Sequence, residues 1–503
     1  MPYKEKAEKF LSIAHDFKLG ELPTEKSHPD TIHLSEWAKR DLSTALDTFK
    51  NIELSLLSNC RDKLSYIEHM TKEVRDTFSR GGRVFLCGCG ATGRLSLALE
   101  TIWRKTQSEP ERVISFMAGG DVALIHSIEN FEDFPEYGER QLLELGFGEN
   151  DLLISTTEGG ETPFVIGATK AAARVSKRSP FFLYCNPDEV LSKVAKRSKE
   201  VIEDSNISKI NLSVGEMALS GSTRMQASTI LMLAVGISLF EKEETWLSSL
   251  EEVFKNTNFK NISKLIEKES SLYEHGDSVL YNSPKALAIS VLTDTTERSP
   301  TFSLNSFESS SNTTDEYSLC YLSVKDTSVL SEAWFSLLER EPRTLEWKET
   351  IHLTGKTRIS GFDISQKIKE QREKYISGKD HVFEINYKEG SIEFILDDVR
   401  EEFNTEKLDL FGVHILLKVL LNTHSTLVMG RLNRYESNIM TWVRPSNNKL
   451  IDRSIRYIKI LLEQESISKS YEEICYELFR QLEDSSRNEA LVMKVLHSIK
   501  KRL

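Results

Sequence analysis

The residues best placed to do chemistry in this 503-residue chain start at Gly88-Cys89-Gly90-Ala91-Thr92-Gly93-Arg94, directly after the apolar run Val84-Phe85-Leu86-Cys87. Glycines at a strand end let the backbone approach a phosphate, and the amides at the start of the next helix bind it. Leu95, Leu99 and Ile102 supply the apolar stripe of such a helix. The spacing suits either a dinucleotide or a smaller phosphate. A dinucleotide fold also wants an acid at the end of its second strand, for the ribose hydroxyl. Here the second apolar run, Val113 to Ala118, leads into Gly119-Gly120-Asp121, so the acid is late and follows two glycines.

Two further stretches favour the smaller ligand. The run Asp151 to Ser155 ends in Thr156-Thr157-Glu158-Gly159-Gly160-Glu161-Thr162-Pro163, and Ser220-Gly221-Ser222-Thr223-Arg224 precedes an apolar helix. Loops that follow parallel strands gather at one edge of the sheet. Any one of the three could be a helix cap; together they make a pocket for a tetrahedral anion. Its expected lining is Gly90, Ala91, Thr92, Gly93 and Arg94, then Thr157, Gly160 and Thr162, then Ser222 and Thr223. Arg224 either pairs with the phosphate or caps a neighbouring carbonyl. His126 and the other ten histidines lack metal-ligand spacing, so no metal and no cofactor is expected. Ser155-Thr156-Thr157 has no histidine nearby in sequence, which leaves nucleophilic catalysis unsupported.

The elements that must position these loops follow from the apolar pattern. Residues 1 to about 80 read as helices, interrupted by an ordered loop over 22–35. From residue 83 to about 235, short apolar runs alternate with helical ones, the mark of βαβ units around a parallel sheet. A polar helical connector follows. The alternation returns more weakly at DSVLYN, SLCYLSV and TIHLTG, then HVFEINY and SIEFILDD, which predicts a second α/β domain whose first strand runs into Ser283-Pro284-Lys285 instead of glycines. The tail, opened by a possible cap at Ser446-Asn447-Asn448, reads as three helices. The expected division is a helical segment over 1–50, a first domain over 51–245, a connector over 246–276, a second domain over 277–445 and a helical cap over 446–503.

Composition narrows the class. With 39% hydrophobic and 28% charged residues the chain has ample material for a core. A net charge of −12 disfavours a general nucleic-acid or membrane-surface binder. Six scattered cysteines, of which Cys87 and Cys89 would face opposite sides of a strand, read as reduced thiols of a cytoplasmic protein. No signal peptide or membrane span is expected.

At this point the sequence resembles a family. GCGATGRLS, MAGGDVALIHSIENFED, GGETPFVIGATKAA and LSGSTRMQAST are similar to the sugar isomerase (SIS) domain, in the branch of the N-acetylmuramic acid 6-phosphate etherases and the glucokinase regulatory protein. LPTEKSHPDTIHLS and the segment 422–451 are similar to that branch's opening and closing segments. The resemblance covers nearly the whole chain and is thin between about 300 and 420. It implies two flavodoxin-like SIS domains in tandem, parallel-sheeted, the second degenerate, with helical segments at both ends. Two domains in one chain resemble the regulatory protein, because etherases carry one per chain and pair as dimers. A chain carrying its own pseudo-dimer reads as a monomer.

The resemblance also assigns roles. It implies that Glu129 and Glu297 are the acid/base pair of an etherase, Glu297 being lent by the second domain to the phosphate loops of the first. The first domain has Ile102 where its own helix-end glutamate would sit, with Glu100 two residues off register, so the mirror site should be dead. Arg431 stands for a family lysine that reaches the sugar phosphate; Gln226 replaces a usual lysine and Gly159 a common serine. Read on their own, Glu129 belongs to a solvated acidic run and Glu297 to an ion pair with Arg298. Because the regulatory protein's corresponding residues bind fructose phosphates without chemistry, the favoured function is a sensor of a phosphorylated hexose or amino sugar, with a sugar kinase as possible partner. The alternatives are a lyase resembling the etherase and, less favoured, an aldose–ketose isomerase.

Overall fold

In a computed structural model of the protein, residues 2–16, 19–128, 131–310, 317–388, 390–445, 447–484 and 489–502 are described. Its first sheet holds β1 (Val84–Gly88), β2 (Val113–Met117), β3 (Leu152–Thr156), β4 (Phe181–Tyr184) and β5 (Ser208–Asn211). They lie in the order β2-β1-β3-β4-β5 and every pair is parallel. That is the flavodoxin-like order, whose topological switch point falls between β1 and β3. The first three strands are buried at every position because helices cover both faces. Along β1, Val84 and Leu86 join the main core while Phe85 and Cys87 join a separate one on the opposite face.

The helix Ala91–Thr106 starts one residue after Gly90, which adopts φ 54°, a region costly for any residue with a Cβ. A Cβ on Gly93 would come within 2.5 Å of Met117 Cβ, so this glycine allows the helix to lie close on β2. From Thr92 to Trp103 the helix is buried on all sides, because it packs on its own sheet and also against the helix Ala288–Phe302 of the second half.

The second sheet comprises β6 (Ser278–Ser283), β7 (Cys320–Val324), β8 (Asp380–Lys388), β9 (Ser391–Leu396) and β10 (Val399–Asn404), in the order β10-β9-β8-β6-β7. Only β7, β6 and β8 are parallel; β8, β9 and β10 form an antiparallel meander. This sheet is therefore mixed, not wholly parallel as expected. The burial of β8 alternates, and such a half-exposed strand suits an antiparallel edge. TIHLTG forms a helical turn, Ile351–Thr354, instead of a strand; Ile351 and Leu353 point to solvent, so its apolar residues build no sheet face.

Four N-terminal helices, Tyr3–Ile13, Leu34–Arg40, Leu42–Asp62 and Leu64–Ser79, and two connector helices, Glu244–Asn256 and Ser263–Glu274, pack around these sheets. The C-terminal helices are Asn448–Gln464, Tyr471–Glu483 and Leu491–Lys500. Asn447 caps the first of them through Leu450 N, while Ser446 lies outside the described residues. All six cysteines are free thiols. One described helix, Leu410–Arg431, is long and apolar enough to cross a membrane; its apolar window is wholly buried within the fold, which makes it a core helix.

Candidate functional site

The three hydroxyl-rich loops meet at the C-terminal edge of the first sheet, around a cavity of about 280 Å³. Gly90, Ala91 and Arg94 border it from the first loop, Thr162 from the second, and Ser222, Thr223 and Arg224 from the third. Glu297 enters from the second half of the chain, and Lys449 from the first C-terminal helix. The cavity continues into a wider one of about 880 Å³, the two sharing Glu132, Glu161, Thr162 and Lys449 among others.

Some expected lining residues build the loops instead. Thr92 Oγ1 accepts from Cys89 N and donates to Cys89 O, both at 2.9 Å, which closes the first turn. Thr157 Oγ1 lies 3.0 Å from Thr162 Oγ1 and accepts from Gly160 N at 3.2 Å. Thr92, Gly93, Thr157 and Gly160 therefore sit behind the cavity wall and shape it. Ser222 is different: its Oγ is buried with no partner among the described residues.

Arg94 and Arg224 are both almost fully buried, and the Nε of each has no partner among the described residues. Arg94 Nη2 donates to Leu124 O at 2.9 Å and to Thr296 Oγ1 at 3.3 Å. Arg224 is fixed by Ser425 (3.0 Å), Thr426 (2.8 Å) and Asp294 (3.4 Å), and stacks over the Phe302 ring at 5.2 Å. It thus borders the cavity while tied to the second half, and caps no carbonyl through these bonds.

Glu297 is 5% exposed, and no hydrogen bond to a described residue holds it. Arg298, its neighbour, turns the other way and pairs with Glu269 and Asp294 at 2.7 and 2.8 Å. The solvated Glu297–Arg298 pair is therefore absent. Burial pushes the Glu297 carboxyl up, against the pull of Arg94 and Arg224. Glu129 lies outside the described residues.

Arg431 does not reach the cavity. Its Nε donates to Ser270 Oγ at 2.7 Å and its Nη1 to Ala38 O at 3.1 Å, because it leaves the end of its helix toward the N-terminal segment. The cation that does arrive is Lys449, whose Nζ meets Glu161 Oε1 at 2.8 Å. Arg453, one turn on, pairs with Glu25 at 2.6 Å. Burial disfavours the Glu25 charge, but Arg453 and Arg456 overcome it and hold the carboxyl low. These contacts pin the first C-terminal helix, Asn448–Gln464, over the site.

Sequence reasoning also passed over Glu158 as an acid. It borders the cavity from the second loop, and its Oε1 is buried with no partner among the described residues. Burial, with Glu297 adding to it, pushes this carboxyl up to about 8.

The mirror position is filled. Glu100 is buried against Arg343 at 2.9 Å, Arg104 at 3.0 Å and Arg340 at 3.2 Å, with Ser115 Oγ donating as well. Asp121, the late acid of the sequence, pairs with the same Arg340 at 2.6 Å.

The profile of the glucokinase regulatory protein N-terminal SIS domain matches residues 65–173. The N-acetylmuramic acid 6-phosphate etherase of Photobacterium profundum is 30% identical over 218 residues, which cover 41% of this chain and 68% of that protein. This chain belongs to the etherase and glucokinase regulatory protein branch of the SIS family. An etherase of Lactococcus lactis subsp. lactis is 29% identical over 268 residues, 52% of this chain and 84% of its own. A tagatose-6-phosphate ketose/aldose isomerase from Escherichia coli aligns with 80% of this SIS chain and 96% of its own at 10% identity, with a TM-score of 0.44. The first two loops described above lie within the matched SIS residues 65–173.

Proposed function

We propose that this cavity holds the phosphate of a phosphorylated sugar, and that Glu297 performs proton transfer on it in an etherase-type carbon–oxygen lyase reaction. The observation that carries the reading is the entry of a buried carboxylate, with no hydrogen bond to a described residue, from the second half into a cavity walled by the glycine- and hydroxyl-rich loops of the first. The likeness to the etherases supports it. Amides of the helix that starts at Ala91, the Ser222 hydroxyl and the Arg94 and Lys449 cations would neutralise a phosphate.

A carboxyl raised by burial above its ordinary value is a better proton carrier in general acid–base work than an exposed one. On a sugar with a lactyl ether, the carboxylate takes the proton α to the open-chain carbonyl, and the C–O bond to lactate breaks. The departing oxygen accepts a proton and water adds to the resulting double bond. Glu129, by the family resemblance, is the second carboxylate of that pair.

The test uses muramic acid 6-phosphate, acetylated or not, with lactate as readout. Lactate should appear, and Glu297→Gln should lower kcat at least 100-fold while leaving binding within about fivefold. Glu158 and Gly159 in the second loop, together with the profile match at 65–173, favour a second reading: a regulator that binds a sugar phosphate without turnover. Binding without lactate would support that one.

A further inference from the structure

We propose that Thr24, in the N-terminal segment, is a further ligand-binding residue of the site, its hydroxyl donating to an oxygen of the bound phosphate. The inference rests on the sugar-phosphate reading above and adds a donor from a segment to which that reading gives no part. Thr24 borders the cavity and is 1% exposed. Two sides of the site hold this stretch in place. On one, Ser220 Oγ of the third loop donates to Glu25 O at 2.9 Å, and His28 N donates to Met217 O at 2.9 Å. On the other stands Asn186, wholly buried just after β4. Its Nδ2 donates to Thr24 Oγ1 at 2.9 Å and to Gly159 O in the second loop at 3.0 Å, while its Oδ1 accepts from Thr24 N at 3.1 Å.

These three bonds set the part the Thr24 hydroxyl can play. Turning the Asn186 amide over would place its oxygen against Gly159 O and its amino group against Thr24 N, so the amide has one orientation. Thr24 Oγ1 is therefore an acceptor toward Asn186, and its own O–H needs an acceptor elsewhere. Among the described residues none takes it. A buried donor left without an acceptor is costly, and the space it borders is the cavity. An oxygen that accepts and carries no hydrogen completes the set, and a phosphate presents such oxygens in a charge-assisted bond. Because the same amide holds Gly159, the donor and the second loop are preset together, so little order is lost when the ligand arrives.

The experiment is calorimetric titration of the full chain with glucosamine 6-phosphate, fructose 6-phosphate and N-acetylmuramic acid 6-phosphate, the tightest of which is carried into the variants. Thr24→Val keeps the shape and removes the O–H. It should bind at least about fivefold more weakly, and inorganic phosphate should compete more weakly by a similar factor. Because Val also leaves Asn186 without an acceptor, the substitution is repeated in Asn186→Ala. A direct contact predicts a further loss of at least about threefold there, whereas a residue that only positions Asn186 and the second loop would add nothing. Three results each overturn the inference and leave the sugar-phosphate reading standing. They are a smaller loss in Thr24→Val, a smaller further loss in the double variant, and undiminished competition by inorganic phosphate, which would put Thr24 on the sugar. Should circular dichroism show Thr24→Val unfolded, Thr24→Ala carries the same criteria. If the parent chain binds none of the three sugars, the sugar-phosphate reading itself falls, and the inference with it.

Discussion

At the scale of single residues, the site separates side chains that build the loops from side chains that face a ligand. Thr92 and Thr157 spend their hydroxyls on neighbouring backbone and side chains, whereas Ser222 and Glu158 keep oxygens with no partner among the described residues. The three loops were legible because each is a local string of glycine and hydroxyl residues at a helix start. Lys449 was not, because it meets Glu161 across 288 residues and nothing in Asn447-Asn448-Lys449 announces that meeting. Arg431 was assigned in its stead from a resemblance alone. The two cations give opposite expectations. A charge-assisted hydrogen bond contributes about 1.5–3 kcal/mol, so Lys449→Ala should weaken sugar-phosphate binding about 10- to 100-fold. Arg431→Ala should leave the Kd within about threefold. Titration of both variants with glucosamine 6-phosphate checks the contrast.

At the scale of elements, the first sheet was readable because strands buried on both faces are continuous apolar runs; four strands of the second were readable too, but its mixed pairing was not, because the alternation of β8 marks a half-exposed strand without giving its neighbour's direction. The long helices hold a feature no periodicity discloses. The helix Leu42–Asp62 buries Glu53, and the helix Leu410–Arg431 buries Lys418, each in the other's field. Burial pushes the Glu53 carboxyl up to about 7 despite Lys418, and pulls the Lys418 amine down to about 8 despite Glu53 and Glu297. Lys418 still donates to Arg224 O at 2.8 Å, so it braces the third loop from behind. A carboxyl whose pKa is higher in the folded state than in the unfolded chain binds more protons when folded. Its contribution is therefore favourable at low pH and is lost as pH rises from about 4.5 through about 7. Replacing Glu53 by Gln should remove that part of the slope. The fall in Tm between pH 4.5 and pH 8 is expected to be smaller in Glu53→Gln than in the parent chain, by differential scanning calorimetry; an equal fall would contradict a buried, proton-binding Glu53.

At the scale of the whole molecule, the two halves are asymmetric because the segment around Arg340 to Trp347 has been put to structural use. Arg340 and Arg343 neutralise Glu100 and Asp121 in the first half, and Asp121 N donates to Arg343 O at 3.0 Å. Leu345 and Trp347 then enter the core on the outer face of the first sheet, where Trp347 stacks on Phe131 at 5.8 Å. The sequence showed that the mirror site lacks phosphate loops; it could not show that arginines from a thinly matching region fill it. That filling makes a prediction that separates architecture from function. Removing one partner of a buried ion cluster leaves the other charges uncompensated and costs about 3–5 kcal/mol. Glu100→Ala strands Arg340 and Arg343, so its urea midpoint should drop by that amount divided by the m-value. Because Glu100 is not on the cavity, the Kd for a sugar phosphate should stay within about threefold in the folded variant. A variant as stable as the parent would mean that the arginines are satisfied by Asp121 and solvent. A variant that folds but loses affinity more than tenfold would mean that the position opposite the cavity still feeds the working site through the helix Ala91–Thr106, which carries Glu100 and Arg94 together.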